Sequence, residues 1–242
     1  MITRFKKIKL HTYHIAVLLF LGLALGSIGV GLLVQTNPLI TYSDNYFYDL
    51  LHRQIQVWWI DTLVYPFNFN FLPAYLSPGR LPSYLYFMVL FGAGYLWFKD
   101  RAAIKWFLFC VVLAVLLAMA VTALDWHFVF RARPFLTLEN SVDPFGRMAW
   151  EKLSSFPSGH ARETALISTV IAGFIPFLKV PMFVFVIFIA LSRVYLGAHY
   201  PTDAVAGALI GFIAGVISLM VGRELQSMRR KKGKGKNDKE ST

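Results

Sequence analysis

Charged residues are scarce in this chain, and cysteine is nearly absent. Only 15% of its 242 residues are charged and 57% are hydrophobic, whereas soluble domains average about 25% and about 45–50% respectively. With a mean hydropathy of +0.55, an ordinary water-facing domain is excluded. The single cysteine, Cys110, lies in an apolar run, so no intrachain disulfide can form and a buried structural thiol is expected.

Long uncharged runs take the place of the missing charge. A bilayer core requires about 20 apolar residues per helix. Six runs are interpreted as transmembrane helices, at residues 13–34, 81–98, 103–124, 160–178, 181–196 and 203–221. The first run is longer than the roughly 7–15 apolar residues of a signal peptide, which favours a retained anchor. The sequence therefore predicts an all-α integral membrane protein with six transmembrane helices.

The linker between the first two runs is rich in aromatic residues. Tyrosine, tryptophan and phenylalanine recur between residues 46 and 75, and such amphipathic rings settle at the depth of lipid headgroups. We expect an interfacial helix at residues 44–63, which serves either as a membrane anchor or as one wall of a lipid-entry groove.

Basic residues are unevenly distributed, and their distribution predicts the orientation. With the N-terminus in the cytoplasm, 16 of the 24 Lys and Arg residues lie on the cytoplasmic side, so the positive-inside rule places both termini there. Residues 1–222 then form the transmembrane domain. Residues 223–242 are predicted to be a basic, disordered cytoplasmic tail that contacts anionic headgroups. No nucleic-acid partner is expected for a tail tethered in this way.

Three separated segments carry polar residues at the predicted external helix ends, namely residues 131–134, 156–160 and 192–203. In the second segment, Ser158 can cap the helix that follows. Gly159 lets an anion approach the free backbone N–H groups at that helix N-terminus. Ordinary helix capping explains this segment equally well when it is considered alone.

Two histidines and two arginines in these segments suit an anionic substrate. If a helix begins near residue 200, Asp203 can accept the Nδ1–H of His199 and leave Nε2 free to attack. His160 supplies a second imidazole that can protonate a leaving oxygen. Arg133 and Arg193 match phosphate oxygens bidentately and keep their charge. A zinc site formed by His160, His199 and Asp203 is the competing interpretation.

These segments resemble the signature of the type 2 phosphatidic acid phosphatase (PAP2) superfamily, which also includes vanadium haloperoxidases. That signature has a Lys-x6-Arg-Pro part, a Pro-Ser-Gly-His part and a Ser-Arg-x5-His-x3-Asp part. The second part is matched by residues 157–160. The third is matched in full by Ser192, Arg193, His199 and Asp203. The motif core of the PAP2-like domain thus covers residues 125–203.

The first part of the signature is only half matched. Arg133 and Pro134 match its end, but Trp126 stands where the lysine is expected. Either Arg131 supplies the missing charge, or the phosphate site has one cation fewer.

The resemblance implies a covalent mechanism without a metal or other cofactor. His199 attacks phosphorus and becomes phosphohistidine, Asp203 orients it, and His160 protonates the leaving group and then activates water. The phosphoryl oxygens are held by Arg133, Arg193, Ser158, the Gly159 backbone and, as a further candidate, Arg131.

The resemblance therefore implies a phosphatase acting on a lipid phosphate or lipid pyrophosphate. We expect it in a bacterial inner membrane, with the site on the non-cytoplasmic face. A phosphotransferase using the same intermediate remains open, as does a catalytically inactive lipid-phosphate-binding protein. An intramembrane serine protease using Ser158 and His199 is disfavoured, because rhomboid proteases have glycine where this chain has Phe156.

Overall fold

The computed structural model describes residues 2–55, 57–64, 66, 83–137 and 154–240. These residues form helices and no strand, which confirms the all-α prediction. The helices are α1 (Ile2–Thr36), α2 (Pro38–Tyr48), α3 (Trp58–Val64), α4 (Ser83–Lys99), α5 (Arg101–Phe128), α6 (Pro134–Thr137), α7 (Gly159–Phe174), α8 (Lys179–Tyr195) and α9 (Pro201–Glu240). A π-helical turn, Asp49–Gln54, continues α2. Residues 138–153 of the predicted motif core lie outside the described residues.

Within the described residues, four helical stretches are long and apolar enough to cross a bilayer, and they identify a multi-pass membrane protein. They are Thr12–Thr36, Arg101–Phe128, Pro176–Tyr195 and Pro201–Lys231. The predicted second and fourth spans are the helices α4 and α7, of 17 and 16 residues. At the rise of an α-helix they extend about 24–26 Å, less than the roughly 30 Å of a hydrocarbon core. The count of six spans stays a prediction.

The most extensive contact between two helices of the described chain is that of α7 along α9. Three glycines of α9 permit this contact. A Cβ at Gly207 or Gly211 would overlap the backbone carbonyl oxygen of Ser158 or Arg162, and one at Gly215 would lie 2.7 Å from the Thr169 Cβ. Because small residues let helices approach closely, this glycine stripe fixes the register of α9 against the N-terminus of α7.

Substituting Gly211 by alanine is expected to lower the melting temperature of the protein in detergent. The new Cβ would overlap main chain rather than a flexible side chain, and overpacking of this kind costs about 1–3 kcal/mol. The matched control is Gly22→Ala on α1, where a Cβ meets nothing within 4 Å. Equal melting temperatures for the two variants would contradict the α7–α9 packing described above.

The segment predicted to be an interfacial helix is helical in three pieces rather than one, and its placement at the membrane interface stays a prediction. Asn37 caps α2 by accepting from the Leu39 N–H at 2.9 Å, and Pro38 occupies the first turn, where proline is favoured. The π-helical turn and α3 follow. Exposed aromatic rings along this stretch, including those of Tyr42, Tyr46 and Trp58, fit headgroup depth. Its role in lipid entry stays a prediction.

The basic tail differs from its prediction. Helix α9 continues through Glu240, so residues 223–240 are helical where disorder was expected. The tail contains no proline, and arginine, lysine, glutamine and glutamate propagate a helix at little cost. A helix that begins within the bundle also needs no new nucleation.

Candidate active site

Three chain segments meet at one end of α5, α7 and α9. The Ser155 N–H donates to the Arg131 carbonyl oxygen at 2.7 Å, and the Ser158 N–H donates to the Asp203 carbonyl oxygen at 3.0 Å. These two backbone hydrogen bonds join the segment after α5, the segment before α7 and the start of α9. The convergence expected from the sequence is therefore present in the described part of the chain.

His199 is buried, and a backbone carbonyl orients it. Its Nδ1 lies 2.8 Å from the carbonyl oxygen of Ser155. Because a carbonyl oxygen only accepts, Nδ1 carries the proton and Nε2 keeps its lone pair. Asp203 Oδ2 lies 4.0 Å from Nδ1, which is beyond hydrogen-bond distance. The expected His199–Asp203 hydrogen bond is thus replaced by one to Ser155, with the carboxylate nearby as a charge.

Asp203 is fully buried and held on both of its oxygens. Oδ2 accepts from the Ser155 hydroxyl at 2.6 Å and from the Tyr200 N–H at 3.1 Å. The second of these bonds caps α9, because the carboxylate of its first turn reaches back to the residue before the helix. Oδ1 accepts from Arg131 at 2.7 Å. The carboxylate therefore cannot reorient freely.

Arg133 lies beside the nitrogen that carries the lone pair. Its Nη1 is 3.4 Å from His199 Nε2 and donates to the Ala198 carbonyl oxygen at 3.0 Å. The side chain is buried. A guanidinium in this position can hold an oxygen of a phosphoryl group that is bonding to Nε2.

Arg193 and His160 complete the cluster. Arg193 is buried at the end of α8, and its backbone carbonyl oxygen accepts from the N–H groups of Ala198 and His199. The loop from Arg193 to His199 turns at Gly197, whose φ of +73° favours glycine. His160 lies in the first turn of α7, within electrostatic reach of both site arginines and of His199.

The N-terminus of α7 is suited to an anion. Ser158 precedes the helix, and its buried hydroxyl makes no hydrogen bond, so it does not cap the helix as its position suggests. A Cβ on Gly159 would meet only Arg162 Nη2, at 4.0 Å. The free N–H groups at this helix end are therefore accessible to phosphoryl oxygens.

The electrostatic environment keeps His199 neutral. Burial, followed by the charges of Arg133 and Arg193, holds the pKa of His199 well below its usual value. The unfolded chain then binds a proton that the folded protein does not, so this histidine lowers stability as the pH falls below about 6.5. At neutral pH the nucleophilic form of the imidazole is the populated one.

We expect histidine-labelled NMR of the protein in detergent to show this neutral His199. The ring should remain uncharged, with the proton on Nδ1, as the pH is lowered through 6.5, because both arginines oppose a further positive charge. The exposed ring of His127 serves as the reference signal within the same sample. A His199 ring that becomes protonated above pH 6.5 would contradict this electrostatic account.

Arg131 has different partners from those expected for a phosphate-binding residue. Its Nη1 donates to Asp203 Oδ1 and its Nη2 donates to Asp44 Oδ2, both at 2.7 Å. The guanidinium also lies 3.9 Å from the centroid of the Tyr200 ring. Both terminal nitrogens are thus engaged by carboxylates. This geometry favours support of Asp203 over contact with substrate.

Two residues of the site were missed by sequence reasoning. Ser155 contributes a carbonyl oxygen and a hydroxyl, and it precedes the Pro-Ser-Gly-His motif by two residues. Asp44 lies in the interfacial segment, far from any motif. No sequence signal singles out Asp44 beyond its being an acid on the predicted external side.

The side chains of this site fit a metal ion poorly. Within the described ranges, no group of three or more His, Cys, Asp or Glu side chains is placed to hold an ion. Asp203, a member of the zinc set considered above, already accepts from Ser155, Tyr200 and Arg131. The absence of a metal from the reaction stays a prediction.

Comparison with known families agrees with this site. The family model of the PAP2 superfamily matches residues 108–226, a region that contains every signature residue. Through this region the chain belongs to the PAP2 superfamily, and the resemblance read from the motifs is confirmed.

Curated relatives share the same region. The chain is 38% identical over 72 residues to lipid A 1-phosphatase of Rhizobium etli, covering 29% of this chain and 30% of the relative. It is 36% identical over 87 residues to phosphatidylglycerophosphatase B of Bacillus subtilis, covering 31% of this chain and 43% of the relative. The alignments thus span less than half the length of these relatives.

Two solved structures share the fold. LpxE of Aquifex aeolicus has a TM-score of 0.50 at 26% identity, covering 72% of this chain and 93% of that one. The transmembrane PAP2-type phosphatidylglycerolphosphate phosphatase of Bacillus subtilis has a TM-score of 0.56 at 22% identity, covering 82% and 93%. The second likeness supports the fold alone.

Proposed function

We propose that this protein is a membrane lipid phosphatase that forms a phosphohistidine on His199. The observation that carries the proposal is the orientation of this imidazole. The Ser155 carbonyl oxygen holds its Nδ1 at 2.8 Å, and Arg133 lies 3.4 Å from Nε2. A neutral nucleophile beside a fixed cation is the arrangement that attack on a phosphoryl group requires.

The reaction proceeds in two displacements at phosphorus. His160 takes up a proton from solvent when the anionic substrate binds beside it. His199 Nε2 then forms a bond to phosphorus as the bond to the lipid oxygen breaks, and His160 gives that oxygen its proton. His160 then takes a proton from water, which attacks phosphorus, breaks the phosphorus–nitrogen bond and releases phosphate. The Asp203 carboxylate, 4.0 Å from Nδ1, stabilises the charged imidazole between the two steps.

The phosphoryl oxygens are held by positive charge and N–H groups. Arg133 and Arg193 supply guanidinium groups, and Ser158 and the N-terminus of α7 supply further donors. Charge placed in advance around the transferring group supplies much of the rate enhancement in phosphoryl transfer. Trp126 stands at the position of the family lysine, and an indole supplies no cation there; its ring is 55% exposed.

A lipid substrate follows from where the site lies. It lies at the ends of α5, α7 and α9, next to α2 with its exposed aromatic rings, a position in which lipid tails can remain in the bilayer while the headgroup reaches His199. The relatives named above are bacterial and are named as phosphatases of lipids. With the basic residues on the cytoplasmic side, the site faces the non-cytoplasmic side of a bacterial inner membrane.

The test is phosphate release by the purified full chain in detergent, with EDTA present. The panel contains phosphatidate, phosphatidylglycerophosphate, a prenyl pyrophosphate and lipid A, with a water-soluble aryl phosphate for comparison. We expect release from at least one lipid and none by the His199→Ala variant. Activity lost in EDTA and restored by zinc would contradict the metal-free mechanism.

The same assay separates the alternatives. Transfer of the phosphoryl group to an added alcohol in place of water would identify a phosphotransferase. Binding of a lipid phosphate without turnover would identify an inactive binding protein.

A further inference from the structure

A buried carboxylate outside all the signature motifs is tied to the catalytic residues. Asp44 on α2 is 1% exposed. Its Oδ2 accepts from Arg131 Nη2 at 2.7 Å and from the Thr202 hydroxyl, and its Oδ1 accepts from the Thr202 N–H at 3.0 Å. Burial of an ionised carboxylate is costly unless it is paired in this way. Asp44 therefore joins α2 to the first turn of α9.

Arg131 connects this carboxylate to Asp203. Its two terminal nitrogens each hold one of the two acids at 2.7 Å, and its Nη1 also donates to the Thr202 hydroxyl at 2.9 Å. The two carboxylate oxygens of Asp203 therefore have different partners. Oδ1 faces Arg131, while Oδ2 faces the Ser155 hydroxyl and lies 4.0 Å from His199 Nδ1.

The Asp44–Arg131–Asp203 triad also has a net charge that acts on His199. Two carboxylates share one guanidinium, so the triad carries a net charge of minus one. If Asp44 were neutral, Arg131 would offset Asp203 alone, and the triad would carry no net charge next to His199. Stabilisation of a charged imidazole would then be weakened, because that stabilisation depends on the net field at Nδ1.

We propose that Asp44 is a positioning residue for the reaction: through Arg131 it fixes the rotamer of Asp203 and preserves the negative charge that stabilises phosphohistidine formation at His199. The inference rests on the proposed function and assigns part of that function to α2. It also makes the helix that carries the exposed aromatic rings of the interfacial segment a part of the catalytic apparatus. A change in how α2 lies against α9 would then alter the rate of the chemical step.

The direct test compares Asp44→Asn with Asp49→Asn. Asp49 is five residues further along the chain, and its side chain is 42% exposed, so the control removes the same charge from the same segment. We expect Asp44→Asn to lower kcat by about tenfold to a hundredfold, the range associated with misplaced reacting groups, with KM within about twofold. Asp44→Glu, which keeps the charge, is expected to recover part of the lost kcat.

A second readout is independent of turnover. Removal of the Asp44 charge is expected to move the pKa of His199 further down in histidine-labelled NMR, while Asp49→Asn leaves it unchanged. Lack of lipid phosphatase activity in the wild-type protein would sink the proposed function but leave this shift to be measured. Equal kcat and equal His199 titration in the two variants would overturn the positioning role. A lower melting temperature for Asp44→Asn with unchanged kcat per folded molecule would also overturn it.

Discussion

Replacing His199 by alanine is expected to reduce phosphate release from lipid phosphate by about a thousandfold or more. The alanine removes the Nε2 lone pair that the Ser155 carbonyl oxygen and Arg133 orient. Because the phosphohistidine cannot form, the remaining donors can bind phosphate but cannot divide the reaction into two steps. Steady-state kinetics on the best lipid of the panel measure the effect, with circular dichroism to confirm folding.

The matched control is His127→Ala, since this histidine is exposed near the end of α5 and takes no part in the proposed reaction. Its kcat should equal that of the wild type. Ser158→Ala should retain much more activity than His199→Ala, because the proposed role of the hydroxyl is to hold an oxygen. A His199→Ala variant with more than a tenth of wild-type activity would contradict the assignment of the nucleophile.

Replacing Arg133 by glutamine is expected to lower kcat by about a hundredfold to a thousandfold, the cost typical of removing one preorganised donor to a developing charge. Arg133 is buried, and its Nη1 lies 3.4 Å from His199 Nε2, so no other side chain takes its place without a rearrangement of the loop. The kcat of Arg133→Lys should fall between those of the wild type and Arg133→Gln, because lysine keeps the charge but lacks the planar guanidinium fork.

The control for this prediction is Arg53→Gln. Arg53 pairs with Asp49 at 3.1 Å on the exposed π-helical turn, where its side chain is 39% exposed, and such surface pairs contribute little. Its loss should leave kcat unchanged. Equal activity of Arg133→Gln and Arg53→Gln would show that Arg133 does not contact the transferring group.

The meeting of the three polar segments could be predicted from the sequence. If the six predicted spans alternate in direction, three helix ends lie on the same side of the bilayer. They are the end of the span that precedes Arg131, the start of the span at His160 and the end of the span that contains Arg193. Glycine at every fourth position of α9 permits close packing against a neighbouring helix, but the pattern does not identify that neighbour, and the structure shows that it is α7.

The hydrogen bonding of His199 could not be predicted in this way. The spacing of four to Asp203 suggests a contact only if both residues lie in one helix, and α9 begins at Pro201. His199 therefore lies in the preceding turn, where its Nδ1 reaches the Ser155 carbonyl oxygen. A bond to a backbone atom of a distant loop leaves no mark in residue type or spacing.

The role of Arg131 was hidden for a similar reason. Its residue type fits phosphate and carboxylate equally well, and its partner Asp44 is 87 residues away in the chain. From the sequence, Trp126 and Arg131 indicate either that Arg131 supplies the charge of the family lysine or that the phosphate site has one cation fewer. The contacts of Arg131 favour the second alternative, since its guanidinium is already shared between two acids.

The most direct test of the account is to trap and map the covalent intermediate. The purified protein is mixed with a lipid carrying radiolabelled phosphate, quenched within one turnover in alkali, in which phosphohistidine survives, and digested for mass spectrometry. The account predicts label on the peptide containing His199 and none in the His199→Ala variant. Turnover without label at His199, or label on Ser158, would contradict it.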